Sequence, residues 1–255
     1  MLVSVIIPAL NEAENIQKTV SAARQAYTPD EVEIIVVDGG SEDGTLDMVP
    51  SDVSLIRSPP GRAVQMNRGA AASRGEILVF CHADSQLPAG WRKAVVQALS
   101  RPGVSGGTFQ IRLWPARGIL HLLNLLRYPA NWRIMYGDQA QFMSRHTFEQ
   151  VGGFPQIPLM EDLEMSRALH QVGRLVRIPL RVVSSSRRFL ERGPLRQFWL
   201  DIVCVVRYLY LGTTAEEVAS IYISSRENSL NQIQQEWSSP TQSKQRYRPR
   251  TETDG

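Results

Sequence analysis

The sequence predicts an α/β fold with a mostly parallel central sheet and helices on both of its faces. Short β-branched apolar runs alternate along the chain with segments of helical periodicity, which is typical of such a sheet. Several of these runs are apolar throughout, so the strands are expected to be buried on both sides. With 255 residues, of which 43% are hydrophobic, the chain can build one core but not two full domains.

The first half is predicted to supply the parallel part of the sheet. The apolar run Leu2–Ile7 stops at Pro8, and residues 11–14 have the form of a helix N-cap followed by an acid three residues later. Ile16 and Val20 continue at helical spacing and predict an amphipathic helix. Further strands are predicted at Val32–Val37, Leu55–Ile56 and Glu76–Cys81, with a helix at Ala63–Ser73.

The second half is less regular and is predicted to form a smaller mixed subregion. From Ser238 onward Ser, Pro, Gln and Arg dominate, so the tail is predicted to be disordered. Strands are predicted at Ser105–Leu113, Gln139–Ser144, Leu175–Ile178 and Arg181–Ser185, and helices at Gly118–Arg127, Glu161–Val172, Leu195–Leu211 and Ala215–Asn228, with a short helix after Ser144.

The composition excludes several functional classes. The net charge is +3, and residues 238–255, with four basic and two acidic residues, carry +2 of it, so the body offers no strongly basic surface for nucleic acid. Cys81 and Cys204 are too few for a disulfide framework or a structural zinc site, which predicts a reducing, cytoplasmic setting. The apolar start Met1–Pro8 is too short for a signal peptide and lacks its basic flank.

The most apolar later stretch is Phe198–Leu211. It is interrupted by Asp201 and Arg207 and falls short of the ~20 residues that cross a bilayer. Apolar side chains cover nearly the whole circumference of this predicted helix, which favours a core helix or a homodimer interface. A lipid-binding surface, with peripheral contact at the inner membrane face, is the third alternative.

Polar residues follow three of the predicted strands at the same edge of the sheet, where ligands of parallel sheets bind. There is no glycine-rich phosphate loop after the first strand, so a diphosphate would instead be neutralised by a divalent metal on carboxylates. Asp84 is the candidate ligand; His82 is either a second ligand or a ring that hydrogen-bonds ribose or backbone. The three edge segments are Asn11-Glu12, Asp38-Gly39 and His82-Ala83-Asp84.

Five segments together resemble the family 2 glycosyltransferases, with their Rossmann-like GT-A nucleotide-sugar transferase fold, from Leu2 to about Arg192. The resemblance implies an inverting transfer of a sugar from a nucleoside-diphosphate donor to a hydroxyl acceptor, with Mn²⁺ or Mg²⁺ on the diphosphate. UDP is favoured over GDP as the donor nucleotide. The Gln-x-x-Arg-Trp motif of the processive members is missing, which favours a single transfer, and the whole-chain pattern, including Cys81–Asp84 and Tyr136–Ala140, resembles a compact soluble subgroup of the family. The segments are Val5–Glu12, Val36–Thr45, Gly61–Gly69, Ile77–Asp84 and Glu161-Asp162.

The same resemblance divides the single domain into a nucleotide-sugar-binding half, residues 1–113, and an acceptor and catalytic half, residues 114–237, followed by the tail at 238–255. The acceptor is either a small molecule or a lipid. The predicted nucleotide-sugar site comprises Pro8, Asn11, Glu12, Asp38, Gly39, Arg57, Arg62, Asn67, His82, Ala83, Asp84 and Arg187. His82 stands where the family's metal motif has its first aspartate, so the metal ligands are expected to be Asp84 and His82.

Catalysis is assigned by resemblance to Asp162, the family's general base, which accepts the proton of the attacking hydroxyl. Glu161 is expected to contact the acceptor or cap the helix. The alternative for both is an ordinary acidic first helical turn. Asp138 and Gln139 are candidate acceptor-binding residues, and a plain turn explains them equally well.

Three competing functions were weighed. A zinc deaminase needs a Pro-Cys-x-x-Cys segment, which is absent, and a dinucleotide oxidoreductase needs the missing glycine fingerprint. A catalytically degenerate protein that binds a nucleotide sugar or glycan remains the alternative, and the substitution at His82 is the feature that favours it. Retention of Asp162 argues for the enzyme, because a binding protein needs no base.

Overall fold

The computed structural model describes residues 1–25, 27–125 and 131–225. The chain divides into two compact units, Met1–Phe198 and Trp199–Gly255. The first unit contains one eight-stranded mixed sheet, with the strand order β3-β2-β1-β4-β7-β6-β8-β5. The strands are β1 Val3–Ala9, β2 Val32–Asp38, β3 Ser54–Arg57, β4 Ile77–Phe80, β5 Ser85–Gln86, β6 Val104–Trp114, β7 Gln141–Ser144 and β8 Arg174–Ser185.

Eight α-helices are described in full. They are α1 Ile16–Arg24, α2 Arg62–Ala72, α3 Trp91–Leu99, α4 Ile119–Leu123, α5 Arg145–Gln150, α6 Glu161–Val172, α7 Arg187–Arg192 and α8 Pro194–Tyr210. Residues 215–225 are also helical, and a short 3₁₀ turn covers Gly137–Gln139.

The four strands β3, β2, β1 and β4 are parallel, so their carboxyl ends lie at one edge. In this register Ala9 pairs with Asp38, and Asp38 pairs with Arg57. Strand β7 runs antiparallel to β4 and joins it to the second half of the sheet. The predicted mostly parallel sheet with a mixed subregion is therefore confirmed.

Both faces of the sheet are buried, which explains why the strands have no polar face. Val3, Val5 and Ile7 of β1 lie in one core with α1 and α3 residues such as Val20 and Trp91. Ile6 of the same strand lies in the other core, with Met66 of α2 and Met165 of α6. The alternation of side chains along β1 thus stabilises both layers, and the polar edge residues are left at the strand ends.

Two local predictions were wrong, because contacts between distant segments decided the outcome. Asn11 does not cap a helix: α1 begins at Ile16, and the Asn11 side chain accepts from the Glu42 N–H at 2.9 Å, joining two loops. The two strands predicted around Pro179 form one strand, β8, with a register irregularity opposite Phe109 and Gln110. The sequence analysis also missed α3, β5 and α7.

The core-helix interpretation of Phe198–Leu211 is also wrong. Helix α8 exposes large apolar side chains, including Trp199 and Tyr210, although Cys204 is buried. Among the described residues, no helix is long and apolar enough to cross a membrane. The predicted end of the 118–127 helix, the last residues of the 215–228 helix and the tail at 238–255 lie outside the described residues.

Candidate active site

Two loops at the carboxyl ends of β1 and β2 are bonded into one structure, which we call the loop pair (residues 9–15 and 38–45). The Asn11 N–H donates to Ser41 Oγ at 2.9 Å, and the Glu12 N–H donates to Thr45 Oγ1 at 2.8 Å. Asn11 adopts a positive φ of 56°, which asparagine tolerates better than most residues. These bonds join the first loop to the second through backbone N–H groups.

Asp38 is committed to this loop pair. Its carboxylate accepts from the N–H groups of Gly40 at 2.9 Å and Ser41 at 3.2 Å, and the residue is buried. The prediction that Asp38 faces the nucleotide base stays a prediction. Asp38 shapes the turn, which is what its contacts indicate.

Gln65 of α2 is a site residue that the sequence analysis missed. Its Nε2 donates to the carbonyl oxygens of Ala9 at 2.8 Å and Val37 at 2.7 Å, which lie at the carboxyl ends of two neighbouring strands. A Cβ on Gly39 would lie 3.1 Å from this side chain, so Gly39 is packed closely against it. A glutamine on the inner face of a helix gave no sequence signal of this role.

The second part of the site is held by charge. Arg187 at the start of α7 lies 3.1 Å from Glu12 Oε1, so residues 175 positions apart in sequence form an ion pair. Burial raises the pKa of Glu12; the Asn15 and Arg187 contacts lower it, and the nearby Asp84 carboxylate raises it further. Glu12, Asp84 and Arg187 are thus brought together, as predicted.

Arg62 and Glu161 form another ion pair. The Arg62 Nε lies 2.8 Å from Glu161 Oε1, and its Nη2 donates to Oε2 at 3.3 Å. Glu161 is only 1% exposed, whereas Arg62 keeps 35% of its side chain exposed. Glu161 is therefore neither a helix cap nor open to an acceptor. That prediction is wrong, because the carboxylate is buried and paired with Arg62.

The Glu161 carboxyl titrates unusually for the same reason. Burial raises its pKa to about 7, Arg62 opposes the increase and the neighbouring Asp162 carboxylate adds to it. A group with this pKa exchanges its proton near neutrality, although it lies inside the protein.

Asp162, the next residue, is held in a different way. Its Oδ2 accepts from the Gly137 N–H at 2.7 Å, and its Oδ1 accepts from the Leu163 N–H at 2.7 Å. Both amides hold the carboxylate in one orientation at the N-terminus of α6. The carboxylate is therefore fixed in place at the start of this helix.

His82 and Gly137 connect the two parts of the site. A Cβ on Gly137 would lie 2.6 Å from His82 Nε2 and 3.3 Å from Asp162 Oδ2, so only glycine allows this approach. Since Asp84 is two residues from His82, Asp84 and Asp162 stand at the same edge of the sheet. We call the residues around them the charge cluster, comprising Glu12, Arg62, His82, Asp84, Glu161, Asp162, Arg187 and Arg188.

The imidazole of His82 is neutral at physiological pH. Burial lowers its pKa to about 3, and the charges of Arg62 and Arg188 act in the same direction. Its Nε2 lies against Gly137, whose N–H donates to Asp162 Oδ2, and its role as a metal ligand stays a prediction. Ala83 is buried in the core beside it.

The remaining predicted residues do not all join the cluster. The Asn67 side chain forms two hydrogen bonds with the backbone of Phe154, at 2.8 and 2.9 Å, and these contacts occupy both its amide nitrogen and its amide oxygen. Gln139 is buried, and its amide oxygen accepts from Thr108. Asp138 is half-buried in the turn between Gly137 and Gln139. Arg57 is exposed at the end of β3, and Pro8 is a buried residue of β1.

A buried polar contact beneath Asp162 was also missed by the sequence analysis. The Gln141 Nε2 donates to the Asp162 carbonyl oxygen at 2.8 Å and to Ser166 Oγ at 2.7 Å. Ser166 in turn donates to the Met135 carbonyl oxygen at 2.9 Å. The start of α6 is thereby tied to β7 and to the loop that leads to Gly137.

Comparison with known proteins identifies the family. The family model described as Glycosyl transferase family 2 matches residues 4–154, which contain the loop pair and most of the sheet edge. The glycosyltransferase AglE of Haloferax volcanii is 36% identical over 111 residues, covering 40% of this chain and 36% of that protein. The probable glycosyltransferase YdaM of Bacillus subtilis is 27% identical over 201 residues, covering 69% of this chain and 48% of that protein. The chain matches less than half the length of both relatives.

Solved structures share the fold. The mannosyltransferase PcManGT of Pyrobaculum calidifontis, in complex with GDP-Man and Mn²⁺, has a TM-score of 0.59 and 22% identity, covering 90% of this chain and 75% of that chain. TarS of S. aureus in complex with UDP-GlcNAc has a TM-score of 0.57 and 17% identity, covering 72% of this chain and 58% of that chain. The GT-A architecture predicted from the sequence is confirmed.

Proposed function

The chain belongs to glycosyl transferase family 2, and on this premise we propose that it transfers a single sugar, with inversion, from a nucleoside-diphosphate donor to a hydroxyl acceptor. The observation that carries the proposal is the close approach of His82, two residues before Asp84, to Gly137, whose N–H donates to the Asp162 carboxylate at 2.7 Å. We place Asp84 on the side of the site where a diphosphate would be anchored. We place Asp162 on the side where a hydroxyl would lose its proton.

The donor is expected to lie over the loop pair with its diphosphate toward α7. Arg187 and Arg188 follow the end of β8, and the guanidinium fork suits phosphate oxygens. Arg187 is 43% exposed, so a phosphate can reach it and compete with Glu12. We favour a uridine nucleotide as the donor. A guanosine nucleotide is the alternative, because the similar structures were solved with GDP-Man as well as with UDP-GlcNAc.

A divalent cation fits the donor set if the diphosphate completes it. Among residues 1–25, 27–125 and 131–225, no group of three or more His, Cys, Asp or Glu side chains could hold a metal alone. Asp84 is a half-buried carboxylate with Glu12 nearby, and hard cations prefer such oxygens together with phosphate and water. When bound, Mn²⁺ or Mg²⁺ would neutralise charge on the leaving diphosphate, held by Asp84.

Asp162 is proposed as the general base. Its two amide partners orient the carboxylate, and inversion requires a proton acceptor on the face of the sugar opposite the leaving phosphate. Asp138, which follows Gly137 directly, remains the proposed acceptor contact. Glu161 is not assigned to the reaction, because its charge is paired with Arg62 inside the protein.

Thermal unfolding in the presence of nucleoside diphosphates and their sugars, with and without Mn²⁺, tests the donor and the metal together. The correct donor with Mn²⁺ at a hundred times its dissociation constant should add about 2.7 kcal/mol to the free energy of unfolding. Asp84→Ala should remove most of the Mn²⁺-dependent part. Asp52→Ala is the matched control, because Asp52 is an exposed carboxylate paired with Arg24. This variant should keep the whole Mn²⁺-dependent part of the stabilisation.

Two results would contradict the proposal in different ways. If no nucleotide stabilises the protein under any condition, the donor site is wrong. If a nucleotide sugar binds but neither slow donor hydrolysis nor transfer is found with Mn²⁺ or Mg²⁺ over a panel of hydroxyl acceptors, the degenerate binding protein is the correct alternative.

A further inference from the structure

Helix α8 has its apolar face outward. Trp199, Val203, Val206 and Tyr210, which we call the α8 stripe, recur at intervals of four, three and four residues and so lie on one face. Their exposed fractions are 63%, 42%, 41% and 65%. Cys204 lies roughly 160° around the helix from Val206 and is buried.

This polarity is the reverse of that of an ordinary surface helix, which turns its apolar stripe toward the core. The buried residues Gln197 and Cys204 have a polar amide and a thiol, whereas the four exposed residues of the α8 stripe are large and apolar. The same helix continues the exposed apolar surface at Leu195 and Phe198. An apolar surface of this extent marks a contact with another phase or another molecule.

The charges around the stripe select the occupant. Helix α8 contains two arginines, Arg196 and Arg207, and one acid, Asp201, so the helix carries a net charge of +1. Arg196 and Arg207 lie on α8 itself and are exposed. Two copies of such a segment would bring like charges together, whereas an anionic lipid surface complements them.

The C-terminal residues 226–255 are a poorer fit to the stripe. They contain four large apolar side chains, Leu230, Ile233, Trp237 and Tyr247, spread over eighteen positions among polar and charged residues. A bilayer surface offers a continuous apolar layer below a polar one. Trp and Tyr side chains, such as those at both ends of the α8 stripe, favour that boundary.

We propose that the α8 stripe docks the protein on a bilayer surface that contains anionic lipid. Helix α8 lies along the interface and does not cross it, because 17 residues span only about 25 Å and the helix carries Asp201 and Arg207. The inference is independent of the donor site, since the binding it describes involves no nucleotide.

Co-sedimentation of the full chain with vesicles tests the proposal. We expect binding at low salt to vesicles in which a third of the phosphatidylcholine is replaced by phosphatidylglycerol, and much weaker binding to phosphatidylcholine alone. Val206→Glu should lower the partition coefficient about tenfold or more, because it places a charge in the apolar face. Val172→Glu is the matched control: this valine is also 41% exposed on a helix, and its variant should bind as the wild type does.

A second variant keeps the test independent of folding. Trp199→Phe preserves an aromatic group at this position. With vesicles of brominated lipid, the tryptophan fluorescence of the wild type should be quenched, and the variant should lose the part of that quenching that comes from Trp199. Absence of sedimentation with anionic vesicles at low salt would overturn the proposal, as would equal binding by Val206→Glu. A third result would also overturn it: no vesicle binding, together with a concentration-dependent dimer that Val206→Glu dissociates. The stripe would then be a homodimer interface.

Discussion

The two parts of the candidate site are built in opposite ways. In the loop pair, side chains bond backbone groups: Asp38 accepts from two N–H groups, Gln65 donates to two carbonyls, and Asn11 accepts from Glu42. In the charge cluster, side chains are held mainly by other side chains of opposite charge, such as Arg62 with Glu161 and Arg187 with Glu12.

The difference indicates which part a ligand can rearrange. A buried amide bonded to two carbonyls has no alternative partner, so the loop pair presents one fixed shape. A half-exposed arginine paired with a carboxylate can exchange that partner for a phosphate at little cost, because both are anionic acceptors. The loop pair is therefore suited to shape recognition, and the charge cluster to binding and releasing a charged group.

The sharpest test of the charge cluster is Asp162→Asn. The amide keeps the size of the side chain but cannot accept the proton, so turnover should fall about a thousandfold while donor binding stays within about threefold. Steady-state rates and nucleotide titrations measure the two effects. Glu164→Gln, in the same helical turn, is the control and should retain near-native turnover. Near-native turnover in Asp162→Asn would remove the base from Asp162.

The loop pair should respond in stability before activity. Gln65→Leu removes two buried hydrogen bonds, those from its side chain to the carbonyls of Ala9 and Val37, which should cost about 3 kcal/mol in the free energy of unfolding. Urea unfolding measures the loss. Gln97→Leu, at an exposed position of α3, should change stability by less than about 0.5 kcal/mol. Equal effects of the two variants would show that the loop pair does not depend on this lock.

The buried ion pair should give the smallest effect, visible as pH dependence. The pKa of Glu161 is about 7 in the folded protein and 4.5 as its ordinary value, so the folded state retains a proton that the unfolded state loses. The free energy of unfolding should therefore fall as the pH rises from about 4.5 to about 7, on the order of 2 kcal/mol. Glu161→Gln should remove this slope in urea unfolding at several pH values, because glutamine does not titrate.

Glu164→Gln again serves as the control, since Glu164 is a quarter exposed and paired only with the surface residue Arg167. It should keep the wild-type slope. A slope that persists in Glu161→Gln would assign the titration to another group and weaken the contrast between Glu161 and Asp162.

The Glu161-Asp162 pair shows how far sequence patterns reach. Their position at the start of a helix was predicted correctly, because three acids before an apolar periodic segment are typical of a helix N-terminus. Their separate environments were not predictable. Asp162 meets Gly137, 25 residues away, and Glu161 meets Arg62, 99 residues away.

The sequence by itself determined the alternating strands and helices, the sheet edge where Asn11, Asp38 and Asp84 gather, and the family. These features depend on local periodicity and on the rule that parallel strands end at one edge, so they can be derived from neighbouring residues. Only the tertiary structure decided which polar groups lock backbone, which form ion pairs and which way α8 turns its apolar face. Those outcomes depend on contacts between distant segments and on what each residue excludes from water, which no local pattern encodes.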